Sequence, residues 1–127
     1  IPAALENAVD TTVADDVRAD YIIEAANGPT TDEANTALVE RGVRIFPDIL
    51  VNAGGVIVSY LEWVQNTQRF SWSEQEVRAN LDERMTESFE RVMEAHESVD
   101  TDCIRTAAYT VALRRVAETH EMRGLYP

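Results

Sequence analysis

A βαβ unit is indicated by residues 21–46, which read YIIEAANGPTTDEANTALVERGVRIF. The two ends of this segment, Tyr21–Glu24 and Val43–Phe46, are short runs rich in β-branched and aromatic residues, as expected of mostly buried strands. Each run is followed by a turn that contains glycine or proline. Because a helix lies between them, the two strands are predicted to be parallel and joined by a right-handed crossover.

The helix between the strands has its own start and stop signals. Thr30 and Glu33 have the spacing of a capping box, in which a threonine caps the helix and a glutamate reaches back to it. Gly42 is placed to end the helix. These signals predict a single short helix between the two strands.

The second half of the chain is nearly free of glycine and has helical periodicity from about Trp72 onward. Ser73 and Glu76 form a second candidate capping box. The apolar stripe that follows predicts one long helix and comprises Val77, Leu81, Met85, Phe89, Val92 and Met93. Asp100 is the predicted cap of a last helix, whose small-residue face comprises Ile104, Ala107, Ala108, Val111 and Ala112. The predicted fold class is α/β and largely helical.

Two strands are too few for an independent sheet, and a long helical stripe needs a larger partner surface than this chain supplies. The chain also opens on Ile1-Pro2-Ala3, with neither an initiator methionine nor a signal peptide. We therefore expect a fragment of a longer protein whose missing part is N-terminal.

The 127 residues carry a formal net charge of −12, since 23 are acidic and all 11 basic residues are arginine. This balance disfavours nucleic acids and anionic membranes as partners. The absence of lysine excludes any lysine-based catalysis by these residues. Acidity with arginine alone favours adaptation to concentrated salt; the alternative is an ordinary acidic cytosolic protein.

The cysteine and histidine content points to a cytoplasmic protein without a metal site. Cys103 is the single cysteine and has no partner for an internal disulfide, which favours a reducing compartment. His96 and His120 lie outside every motif, and no Cys/His cluster has metal-ligand spacing. No apolar run approaches the roughly 20 residues needed to cross a bilayer.

Two loops carry the polar residues most suited to a binding site. Asn27 and Asn52 each follow a predicted strand at its carboxyl end, where open α/β sheets bind their ligands. Gly54 and Gly55 follow Asn52 and allow a ligand to approach the backbone of a helix entrance. From spacing alone, a tight turn with a capping asparagine is the favoured interpretation of the Asn52 loop. Neither loop is a G-x-G-x-x-G phosphate loop.

Taken together, five blocks of sequence closely resemble the C-terminal part of glutamate dehydrogenase, in the glutamate/leucine/phenylalanine/valine dehydrogenase family. The blocks are Ile1-Pro2-Ala3-Ala4-Leu5-Glu6-Asn7, residues 24–31, residues 47–56, residues 59–66 and Arg105-Thr106-Ala107-Ala108-Tyr109. The resemblance implies oxidative deamination of L-glutamate to 2-oxoglutarate and ammonia, with hydride passing to NAD or NADP. It also implies a homo-oligomer, typically a hexamer.

The resemblance further implies two units and a set of site residues. Residues 1–72 would be the C-terminal portion of a Rossmann-like NAD(P)-binding domain, and residues 73–127 would be helices that return towards the substrate domain. The implied cofactor-binding residues are Asn27, Asn52, Ala3, Ala4 and Asn7. Val56 and Ser59 would face the substrate, with the Ser59 hydroxyl donating to the side-chain carboxylate of glutamate. Without the resemblance, a serine bonded back to its own helix is the favoured interpretation of Ser59.

The family's catalytic lysine and aspartate belong to upstream motifs, so no catalytic residue is expected here and this chain alone is expected to be inactive. Asp48 is the one acid within the Asn52 loop, and we interpret it as a turn or cap residue. Two alternatives are a leucine, valine or phenylalanine dehydrogenase and a non-catalytic helical interaction module. The Asn27 loop and the polar Ser59 favour glutamate over the apolar substrates.

Overall fold

A computed structural model of the protein describes residues 5–99 and 101–124. Within them, the secondary structure is two short strands and six helices, in the order α1 Thr11–Asp16, β1 Tyr21–Ile23, α2 Asp32–Glu40, β2 Arg44–Phe46, α3 Asp48–Val51, α4 Ala53–Gln68, α5 Glu74–Ser98 and α6 Ile104–Arg123. The prediction of an α/β, largely helical chain is confirmed.

The predicted βαβ unit is present, with β1 and β2 paired in parallel and α2 between them in sequence. Ile22 lies opposite Ile45 in the register, and both side chains are buried. Each strand is one residue shorter than predicted, and Glu24 falls just beyond the carboxyl end of β1. That position matters because it brings a carboxylate to the edge of the sheet where the two loops begin.

The capping residue of α2 is Thr31, so the prediction of Thr30 and a capping box with Glu33 is wrong. Thr31 Oγ1 accepts a hydrogen bond from the Ala34 N–H at 3.2 Å. Thr30 instead forms an isolated parallel bridge with Val9. The helix therefore begins one residue later than predicted, and Thr30 is paired with a distant segment instead. Gly42, with φ of +84°, lies just after α2, as predicted.

The βαβ unit has its own small core. Its buried apolar side chains come from both strands, from α1, from α2 and from the segments beside them, and comprise Val9, Ala14, Ile22, Ala34, Leu38, Val43 and Ile45.

A second core joins the last two helices to α3. The buried residues of this core are Leu50, Val92, Ala95, Ile104, Ala107 and Ala108. The small-residue face predicted for α6 is therefore confirmed at Ile104, Ala107 and Ala108. α6 is capped by Cys103, whereas the predicted cap, Asp100, lies outside the described residues.

The capping box of α5 is confirmed, since Ser73 and Glu76 exchange both hydrogen bonds. The helix has 25 residues, but its apolar stripe is only partly covered: Val92 is buried and Phe89 is 43% exposed. No helix among the described residues is long and apolar enough to cross a membrane.

Candidate functional site

The two strand-end loops lie side by side, and their asparagines touch. The Asn52 side chain donates from Nδ2 to Oδ1 of Asn27 at 2.5 Å, and this contact lies at an exposed edge. The adjacency follows from the parallel register, because the carboxyl ends of both strands reach the same edge of the sheet. The structure therefore brings together the two asparagines singled out in the sequence.

Asn52 stands between two helices, but its side chain caps neither of them. Asn52 is both the C-cap of α3 and the N-cap of α4, with φ of −89° and ψ of 0°. Its side chain makes no capping hydrogen bond. The interpretation of Asn52 as a capping residue is therefore confirmed for its position, but not for a capping hydrogen bond from its side chain. Its amide is instead turned to Asn27, which leaves its Oδ1 available as an acceptor.

The two glycines after Asn52 form the first turn of α4, which confirms their place at a helix entrance. Neither has a positive φ, so the backbone conformation does not demand glycine. A Cβ at Gly54 would meet Leu81 Cδ1 at 3.6 Å, an ordinary contact, and nothing lies within 4 Å of a Cβ at Gly55. The space in front of Gly55 is open to a molecule that needs to approach the backbone.

A buried ion-pair network lies beneath the two loops, and sequence reasoning missed it. Arg105 donates from Nη2 to both carboxylate oxygens of Glu24 at 2.7 Å, and from Nη1 to Asp48 Oδ1 at 3.2 Å. Glu24 is completely buried, and the side chains of Arg105 and Asp48 are 16% and 17% exposed. Burial lowers the pKa of Arg105, but the hydrogen bond and charge of Glu24 and the charge of Asp48 outweigh it and raise that pKa.

The network ties both loops to α6. Asp48 Oδ2 accepts from the Gly28 N–H at 2.8 Å, and the Asp48 N–H donates to Glu24 Oε2 at 3.0 Å. Asp48 Oδ1 also accepts from the Ile49 N–H at 2.8 Å, which satisfies a free donor at the start of α3. The prediction that Asp48 has a turn or cap role is thus met, and its ion pair with Arg105 is an additional role.

Asn35 and Cys103 extend the network along the N-terminal end of α6. Asn35 Oδ1 accepts from Arg105 Nε at 3.3 Å, and its Nδ2 donates to Cys103 Sγ at 3.5 Å. Burial raises the pKa of the Cys103 thiol, but hydrogen bonds from Asn35 and from the backbones of Thr106 and Arg105 outweigh it, so the pKa is lowered.

The N-terminal loop packs beside Gly28. The Asn7 N–H donates to the Gly28 carbonyl at 2.7 Å, and Asn7 has a positive φ of 58°. Asn7 and Gly28 line, with Tyr109, an open cleft of about 720 Å³ whose wall also includes Asp48 and Arg105. Ala3 and Ala4, the other candidates of this loop, lie outside the described residues.

Val56 and Ser59 lie on an uncovered face of α4. Val56 is 70% exposed, Trp63 on the same face is 60% exposed, and Ser59 is exposed as well. The Ser59 hydroxyl makes no hydrogen bond within residues 5–99 and 101–124. By contrast, Thr67 on the same helix bonds back to the Trp63 carbonyl at 2.9 Å. The back-bonded interpretation of Ser59 is therefore wrong, and its hydroxyl is free to bind another molecule or chain segment.

Comparisons with known proteins match the whole length of the chain. Glutamate dehydrogenase A2 of Halobacterium salinarum is 54% identical over 127 residues, which are 100% of this chain and 30% of that protein. The NADP-specific glutamate dehydrogenase of Synechocystis is 52% identical over 98% of this chain and 29% of that protein. The hetero-hexameric glutamate dehydrogenase of Thermus thermophilus, solved in a leucine-bound form, superimposes with a TM-score of 0.92 at 37% identity, covering 98% of this chain and 30% of that one.

The chain thus spans about 30% of the length of the relatives it matches. The sequence profile that describes glutamate, leucine, phenylalanine and valine dehydrogenases matches residues 1–124. The chain belongs to the glutamate/leucine/phenylalanine/valine dehydrogenase family.

Proposed function

We propose that the intact protein containing this chain is a glutamate dehydrogenase, which oxidatively deaminates L-glutamate to 2-oxoglutarate and ammonia. NAD or NADP, when bound, accepts the hydride from the substrate. The observation that carries this proposal is the contact between Asn52 and Asn27 at the ligand-binding edge of a parallel strand pair, in a chain of this family.

The residues around that contact fit a nicotinamide dinucleotide. With one hydrogen bond used between them, Asn27 keeps its amide donors and Asn52 keeps its carbonyl acceptor, which suits both a carboxamide and ribose hydroxyls. Open space at Gly55 supports a close approach to the backbone. Asn7 is proposed as a third contact because it packs on Gly28, and Ala3 and Ala4 are proposed with it.

One wall of the glutamate pocket is proposed to be the exposed face of α4. An unbonded Ser59 hydroxyl can donate to the side-chain carboxylate of glutamate, and Val56 can contact the aliphatic part. A shorter or apolar substrate would leave that hydroxyl buried without a partner, at a cost of about 1–3 kcal/mol. This difference supports glutamate over leucine, valine and phenylalanine.

Proton transfer is proposed to come from outside these 127 residues, because the chain has no lysine. The chain by itself would then be inactive. Residues 1–72 are proposed as the C-terminal portion of a Rossmann-like domain, and residues 73–127 as helices that return towards the substrate domain. The packing of α5 and α6 on Leu50 supports helices that pack back on the portion formed by residues 1–72.

The assembly is proposed to be a hexamer, since a hexameric relative has the same fold over 98% of this chain. A cytoplasmic location is proposed because Cys103 is the single cysteine and, in an oxidising compartment, could form no bond within the chain.

The intact protein tests the proposal directly. Dehydrogenase activity would be assayed with glutamate and leucine, and a higher kcat/KM for leucine would reject the glutamate assignment. Titration with NADH and NADPH would distinguish the enzyme from a non-catalytic interaction module. We expect an Asn52→Ala variant to bind the preferred dinucleotide about tenfold more weakly, the loss of roughly one hydrogen bond. A Gln75→Ala variant, which removes an exposed amide from α5, serves as the matched control.

A further inference from the structure

Arg105 holds three separate segments of the chain from a single position on α6. Its guanidinium contacts Glu24 just beyond β1, Asp48 just beyond β2, and Asn35 on α2. Arginine suits this role because its planar fork presents five fixed donors, whereas lysine offers a point charge. No contact joins Arg105 itself to Asn27 or Asn52 within the described part of the chain.

Short paths nevertheless connect Arg105 to both asparagines. The first runs from Arg105 through the Asp48 carboxylate to the Gly28 N–H, the backbone neighbour of Asn27. The second runs from Arg105 through Glu24 to the Asp48 N–H, at the first residue of α3, whose C-cap is Asn52. The 2.5 Å hydrogen bond from Asn52 to Asn27 connects the ends of these two paths.

Besides the bond from the Asn7 N–H to the Gly28 carbonyl and the burial of Leu50, the network supplies a set of hydrogen bonds that reaches both loops from α6. Asn27 is exposed, and Gly28 has a φ of +51°, a conformation that the chain keeps only when neighbouring contacts select it. A completely buried carboxylate is tolerated only when it is paired, so Glu24 requires the arginine. Removing the guanidinium would release Asp48 and Glu24 together, and with them the backbone on either side of the asparagine pair.

We propose that Arg105 is a positioning residue for dinucleotide binding, which sets the separation and orientation of Asn27 and Asn52 through Asp48 and Glu24 without touching the ligand. This inference rests on the proposed function. It predicts that α6, although distant in sequence from both loops, controls affinity for the nicotinamide end of the dinucleotide.

The test compares three arginine variants of the intact protein. Arg105→Met keeps the length of the side chain without its donors, and Arg105→Lys keeps the charge without the fork. Arg78→Met removes an exposed arginine paired with Glu74 on α5 and is the matched control. Each variant is measured for its dinucleotide Kd by NADH or NADPH fluorescence, for its KM for glutamate at saturating dinucleotide, and for its melting temperature.

We expect Arg105→Met to raise the dinucleotide Kd by about tenfold or more, since small displacements of positioned groups are costly. The dinucleotide Kd of Arg105→Lys should lie between those of Arg105→Met and the unmodified protein. The KM for glutamate should change by less than about twofold in both. If Arg105 had only a structural role, its substitution would lower the melting temperature without raising the dinucleotide Kd more than the KM for glutamate.

A folded Arg105→Met protein with an unchanged dinucleotide Kd would overturn the inference. If that variant does not fold, Asp48→Asn decides in its place. Its single remaining acceptor oxygen can serve either Gly28 or Arg105 but not both, so a raised Kd supports the inference and an unchanged one rejects it. Failure of the unmodified protein to bind either dinucleotide would instead reject the proposed function, and the inference with it.

Discussion

Arg105 and Glu24, which are 81 residues apart in the sequence, form a largely buried ion pair in which Nη2 of Arg105 donates to both carboxylate oxygens of Glu24 at 2.7 Å. The pair joins the N-terminal end of α6 to the carboxyl end of β1. It places a charge-neutralising contact directly below the loops that carry Asn27 and Asn52. The fold and the candidate site therefore share one set of interactions, and changes to that set should affect both.

Glu24→Gln should destabilise the intact protein. The substitution leaves Asp48 as the charged partner of Arg105 and puts a neutral amide in the fully buried position of the Glu24 carboxylate, and such a loss costs about 1–3 kcal/mol. Glu74→Gln removes one partner of an exposed pair and should cost less than about 1 kcal/mol. Comparing the two melting temperatures checks the prediction, and equal shifts would contradict it.

Gly55→Ala should raise the stability of the protein and lower its affinity for the dinucleotide. Alanine is favoured over glycine in a helix by about 1 kcal/mol, and the added Cβ meets nothing within 4 Å, so the melting temperature should rise. If a ligand approaches the backbone here, its affinity should fall at the same time. Thermal unfolding and dinucleotide titration of the same sample measure both effects.

Gly42→Ala provides the contrasting control for Gly55→Ala. Gly42 has a φ of +84°, which alanine adopts poorly, so this variant should be less stable by about 1 kcal/mol. Its dinucleotide affinity should not change. Unchanged affinity in Gly55→Ala as well would argue against ligand contact at the start of α4.

The features predicted correctly from the sequence are those with a local origin. Ser73 and Glu76 are three residues apart, so their capping box could be identified without knowledge of the fold. The order of strands and helices likewise fixed which loops would share an edge, and the contact between Asn27 and Asn52 follows from that order.

The features that were missed depend on contacts between distant segments. Thr30 and Thr31 are chemically equivalent as caps; in the structure Thr30 pairs with the distant Val9, and Thr31 is the cap. In the same way, no local pattern links Glu24 to Arg105. The prediction of a mostly buried first strand is wrong, since Ile22 is buried but Tyr21 and Ile23 are exposed. Glu24 lies two residues after Ile22, on the same buried side, and this spacing was a usable signal because a buried carboxylate must find a partner.

Ser59→Ala should weaken glutamate binding selectively. Loss of one hydrogen bond to a carboxylate should raise the KM for glutamate by about tenfold, with the dinucleotide Kd changed by less than about twofold. Thr67→Ala is the matched control, because the Thr67 hydroxyl is already bonded to its own helix. Steady-state kinetics of both variants measures the KM for glutamate. An equal KM in the two would show that Ser59 does not contact glutamate in the proposed pocket.

Molar salt should stabilise the protein. At a net charge of −12, acidic side chains repel one another over about 10 Å in 0.1 M salt but only about 3 Å in 1 M salt. The Glu24–Arg105 pair is buried and therefore screened much less, so salt should relieve surface repulsion without breaking the network below the loops. We expect the melting temperature of the intact protein to rise by about 10 °C or more between 0.1 M and 3 M KCl. A neutral osmolyte at matched osmolality separates charge screening from exclusion of the cosolvent, and should give a smaller rise. A melting temperature that does not change with KCl would reject adaptation to salt and favour an ordinary acidic protein.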